Sequence, residues 1–99
     1  MSSAFLQSWF RAQCNGFWEH GKGVTIETLD SGGWMVTIDV AETTLEGHSM
    51  EPLRKERDAK DWIACTVEQN KFRGQGDSDK LDLILATFAA WAGQHTPSR

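Results

Sequence analysis

The chain has 99 residues and a formal net charge of −4, with 39% hydrophobic and 24% charged residues. That length suits one domain, residues 1–99, with an ordered core over about 3–93, and the composition is globular rather than disordered. The negative charge disfavours nucleic acid and anionic membrane as partners, because both are polyanions.

No apolar run approaches the ~18 residues a membrane span needs. The N-terminus lacks a basic stretch followed by an apolar run, so no signal peptide is expected. Cys14 and Cys65 are the only cysteines, too few for a secreted disulfide scaffold, and read as buried free thiols of a soluble, cytoplasmic protein. Five Trp and five Phe stand beside no Tyr. Rings that each bury roughly 150–250 Å² can dominate a core of this size.

In chain order, residues 3–14 read as a helix. Phe5, Leu6, Trp9, Phe10 and Gln13 fall on one face, Ser3 is placed to cap it, and Asn15-Gly16 to end it. Residues 15–23 hold three glycines without a period and read as an ordered loop carrying Phe17, Trp18, Glu19 and His20. Residues 24–29 and 34–40 alternate as a hairpin, with Val24 and Ile26 facing the same side as Trp34, Val36, Ile38 and Val40. For both apolar sets to face one core, paired residue numbers must sum to an even number. That requires an odd loop within Asp30-Ser31-Gly32-Gly33, most simply three residues with a glycine bulge.

Residues 41–50 are polar. Residues 52–57, Pro-Leu-Arg-Lys-Glu-Arg, read as a charged edge strand. Residues 62–68 read as a strand with Ile63, Cys65 and Val67 inward. A two-residue Gln69-Asn70 turn then sets Phe72 opposite Val67. Residues 79–92 form a helix capped by Ser78 or Asp79, with Leu81, Ile84, Leu85, Phe88, Trp91 and Ala92 as its stripe and Gly93 as its stop. Residues 94–99 read as a loose tail. The expected fold is α+β: an antiparallel meander of four to five strands, with the N-terminal and C-terminal helices on one face. The other face carries Thr25, Glu27, Thr37, Asp39 and Thr66.

Few residues suggest chemistry. Glu19-His20 is the only pair resembling an acid–base couple, which keeps a small enzyme open as an alternative. No nucleophile motif accompanies the pair, no phosphate-cradle glycine spacing occurs, and no paired cysteine spacing suggests zinc. No catalytic residue, metal or cofactor is therefore expected. Trp18, Glu19 and His20, standing together in a loop, suit a protein contact. Glu27, Asp39, Glu42 and Glu46 suit an acidic surface that steers a basic partner. A homodimer through a sheet edge or face is a further alternative.

One run is distinctive: Trp9, Gln13-Cys14-Asn15-Gly16-Phe17-Trp18-Glu19-His20, Gly23, Ile26-Glu27-Thr28-Leu29-Asp30, Gly33-Trp34, Val36 and Ile38-Asp39. Together with Asp61-Trp62-Ile63, Asn70-Lys71-Phe72 and Trp91-Ala92, it resembles the immunity protein 53 family of bacterial polymorphic toxin systems over roughly residues 5–92. Phe10, Phe17 and Ser31-Gly32 depart from the family pattern. The resemblance implies a non-enzymatic cytoplasmic protein that binds and neutralises a cognate toxin domain without a cofactor. A basic toxin, such as a nuclease, would suit the −4 charge.

Overall fold

The structure, a computed structural model, describes residues 2–95. The elements in order are α1 (Ser2–Gln13), α2 (Trp18–Gly21), β1 (Val24–Thr28), β2 (Trp34–Asp39), β3 (Leu53–Asp58), β4 (Asp61–Glu68), β5 (Lys71–Gly76) and α3 (Leu81–His95). The fold is α+β. Ser3 lies inside α1 and does not cap it. No helix among the described residues is long and apolar enough to cross a membrane.

The β1–β2 hairpin obeys the parity rule. Val24 faces Ile38 and Ile26 faces Val36. Leu29 N–H donates to Gly33 O at 2.8 Å, which leaves Asp30-Ser31-Gly32 as a three-residue loop. Gly32 takes φ +99° there, a conformation side chains disfavour. In the β4–β5 turn, Gln69 and Asn70 have φ 53° and 59°, the two-residue geometry that matches strand twist. Phe72 faces Val67 as expected.

The strand order corrects the simple meander. It is β1-β2-β5-β4-β3, all antiparallel, with β5 between β2 and β4. The cause lies in β3. Its sequence LRKERD is exposed at every position but Leu53, so it cannot occupy the buried centre that a meander assigns to a third strand. It pairs with β4 alone, at the edge. The inner face of β5 instead carries Phe72, Gly74 and Gly76, all buried. A Cβ on Gly74 would collide with Ile84 Cγ2 of α3 and crowd Cys65 Sγ. Glycine here lets α3 lie close to the sheet centre.

Residues from α1, α2, α3 and the inner sheet face form one buried cluster. Phe88 is its hub, with ring centroids 5.1 Å from Trp9, 5.2 Å from Phe72 and 6.2 Å from Phe5. Trp91 is buried and its indole N–H donates to Ser49 O. Trp34 is only half-buried, with its N–H on Ser78 O. Leu45, in the polar 41–50 segment, is fully buried and anchors that segment.

The start of α3 is organised by Asp77 rather than by Ser78 or Asp79. Its carboxylate accepts from Asp79 N–H, Trp62 N–H and the Lys80 ammonium at 2.7–2.8 Å. The Lys80 hydrogen bond, with those backbone donors, holds the Asp77 carboxyl down at about 2. α3 continues through Gly93 to His95, so Gly93 is not the stop and Gln94 and His95 are helical. The rest of the expected tail, 96–99, lies outside the described residues.

Replacing Gly74 with Ala forces α3 away from β5. Urea unfolding should show a loss of about 1–3 kcal/mol, the usual cost of overpacking. Gly21→Ala, where an added Cβ meets nothing, should change stability by less than about 0.5 kcal/mol.

Candidate partner-binding surface

The loop between α1 and β1 is held from inside. After α1 the chain reverses at Gly16, with φ +94°. Asn15 Oδ1 accepts the N–H groups of Phe17 and Trp18, each at 2.9 Å. In return, the two Glu19 oxygens accept the N–H groups of Asn15 and Gly16 at 2.9 and 2.8 Å. This reciprocal satisfaction of helix-start donors works as a capping box does. The Glu19 carboxyl is held below its ordinary value of 4.5, first by its own backbone N–H and then by Asn15 and Gly16.

Trp18, expected to face a partner, is instead 3% exposed. Its ring meets Trp9 and Phe10 edge-on at 5.8 Å, and its indole N–H donates to Ala41 O at 3.0 Å. That one residue fastens the loop to α1 and to the 40–47 segment. The aromatic left outside is its neighbour Phe17, 84% exposed. Sequence reasoning placed Phe17 in the loop beside Trp18 and marked it as a departure from the family pattern, without counting it among the contact residues. The signal for its exposure was Asn15 three residues before Trp18, a side chain suited to capping the turn that expels residue 17.

His20 is exposed, and its backbone N–H donates to Phe17 O. No hydrogen bond among the described residues joins its imidazole to Glu19, whose oxygens are taken by main chain. Asp39 is half-buried and structural: one oxygen accepts Gly23 N–H at 2.9 Å, the other the Lys71 ammonium at 2.7 Å. Glu42 sits at φ 65°, and its N–H donates to the Glu46 carboxylate. Its own carboxylate lies 3.7 Å from Lys22 Nζ, an exposed pair worth at most about 1 kcal/mol. Gly47 N–H donates to Asn70 Oδ1.

Six of the seven expected contact residues therefore belong to one end of the molecule, where the loop, the 40–47 segment and the β4–β5 turn meet. Glu27 stands apart, exposed on β1 opposite Met35. The shared end carries the carboxylates of Glu19, Asp39, Glu42, Glu46 and Glu68 against the ammonium groups of Lys22 and Lys71. That leaves an excess of negative charge at this end.

The cysteines do not cooperate. Cys14 is exposed, not buried as expected: it follows the last residue of α1, and its thiol donates to Phe10 O at 3.4 Å. Cys65 is buried on β4, and burial pushes its thiol up to about 11. Among the described residues no three His, Cys, Asp or Glu side chains gather as a metal would require.

The model of immunity protein 53 matches residues 3–93. The chain belongs to the immunity protein 53 family. Searches of curated proteins and of solved structures return no match. The family match spans α1 through the last turns of α3, so it takes in the helices, the whole sheet and the anchored loop.

Glu19→Gln leaves one of the two backbone donors without an acceptor. Its thermal midpoint should fall below that of the native protein at pH 7. Because the folded-state pKa is lowered, the native clamp is complete above the ordinary 4.5 and is lost as pH falls below it. The two midpoints, followed by circular dichroism, should converge as the pH is lowered through the depressed Glu19 pKa.

Proposed function

We propose that this protein binds a cognate polymorphic toxin domain in the bacterial cytoplasm and neutralises it stoichiometrically, without turnover or cofactor. The observation that carries the reading is the family match over residues 3–93. The geometry supports it in a second way. A loop already fixed by Asn15, Trp18 and Glu19 loses little conformational entropy on docking, and such preorganisation favours affinity.

On this reading the contact residues divide by task. Phe17, His20, Glu27, Glu42 and Glu46 offer exposed groups to the toxin. Trp18, Glu19 and Asp39 hold the backbone that presents them. Aromatic residues, phenylalanine included, are enriched at the cores of interfaces with polar rims, and the acid-rich rim would steer a basic toxin, such as a nuclease, into place.

The test is protection of cells expressing the toxin domain encoded by the adjacent gene. Phe17→Ala should remain folded yet lose about 2 kcal/mol or more of binding energy, enough to abolish protection at low expression. Glu42→Lys with Glu46→Lys should slow association and weaken its salt dependence. Full protection by the folded triple variant would remove this surface from the interface.

A further inference from the structure

The two edges of the sheet are built differently. β3 carries Arg54, Lys55 and Arg57, follows Pro52, and shifts register between Glu56 and Asp58. Basic side chains, proline and a bulge each discourage another strand from pairing. β1, at the opposite edge, has the sequence VTIET and five uninterrupted pairs with β2. It has none of the three devices.

The backbone of β1 faces outward at alternate residues. Asp39 N–H donates to Gly23 O, and Leu29 N–H to Gly33 O. Odd-numbered residues thus turn their backbone groups to β2, and Val24, Ile26 and Thr28 turn theirs to the open edge. The side chains of those three residues lie on the inner sheet face; Val24 packs against the core, yet the helical layer stops short of Ile26 and Thr28. Ile26 is 42% exposed, while Val36 directly opposite is fully buried. Beside Val24, an apolar cleft of about 280 Å³ opens against Leu6, Gln7 and Phe10 of α1.

We propose that β1 is the edge onto which the cognate toxin adds an extended strand of its own. The inference rests on the immunity reading above and names its mode of contact. An added strand would satisfy the outward N–H and C=O groups. Its inward residues, apolar at every second position, would cover Ile26 and fill the cleft beside Val24. Its outward residues would meet Glu27, which has no ion pair among the described residues, so a basic side chain belongs there. Charge selects this partner over a second copy of the chain. In a two-fold pairing centred on Ile26, Glu27 would face Thr25, leaving both Glu27 carboxylates unneutralised on one face.

The test is residue-resolved hydrogen exchange on the isotope-labelled protein, alone and with the toxin domain encoded by the adjacent gene. In the free protein the amides of Val24, Ile26 and Thr28 should exchange quickly, and in the complex at least about tenfold more slowly. Ile26→Pro removes an outward donor without touching a β1–β2 bond, and should weaken toxin binding about 100-fold. Ile26→Thr keeps the donor and should weaken it about tenfold. A complex that forms without slowing these amides overturns strand addition and leaves the immunity reading standing, even where Ile26→Pro fails to fold. No complex at all overturns both. Amides already slow in the free protein, with the mass of a dimer, would assign the edge to a second copy and overturn the proposal.

Discussion

Four aromatic rings in edge contact tie the molecule together. Phe72 on the central strand meets Phe88 on α3 at 5.2 Å, Phe88 meets Trp9 on α1 at 5.1 Å, and Trp9 meets Trp18 at 5.8 Å. Each such contact contributes about 0.5–1.5 kcal/mol beyond the area it buries. The order of the rings matters more than their sum. The chain of contacts begins at the middle of the sheet and ends in the loop, so the loop is positioned by the core. The surface residues around it inherit that rigidity, through the Trp18 N–H on Ala41 and the Asp39 bridge between Gly23 and Lys71.

Much of this was legible in the sequence because local rules and burial agreed. Alternation in β1 and β2 fixed which residues face inward, and the even-sum rule then fixed the loop length. The Gln69-Asn70 turn placed Phe72 against Val67. Pro52 and the basic run marked β3 as an edge. Strand order was less legible, because Gly74 and Gly76 read as weak strand formers by propensity. Their value is the absence of a side chain beneath α3, a tertiary property. Gly93 misled for the opposite reason: a glycine near a helix end costs only about 1 kcal/mol relative to alanine, and His95, two residues beyond it, is held by ring contacts with Trp91 and His48.

The candidate surface was legible in location and less so in detail. The sequence singled out the loop because Trp18, Glu19 and His20 stand there together. It could not show that Trp18 turns inward, since a loop has no period to assign a face. Glu19 and Asp39 looked like surface charges and proved to be acceptors for backbone N–H groups. Leu45 was hidden by polar neighbours. Glu19 and Asp39 share one cause: irregular backbone needs its donors satisfied, and here their carboxylates supply the acceptors.

What emerges is a scaffold of the immunity protein 53 family that carries at one end an exposed aromatic, Phe17, beside an acid-rich rim. Such a surface suits binding one target tightly. The most direct test of that claim is a titration of toxin activity against increasing amounts of this protein. The account predicts that inhibition grows linearly and is complete at one equivalent. Complete inactivation at a small fraction of an equivalent would indicate turnover and contradict it, as would full toxin activity at a large excess.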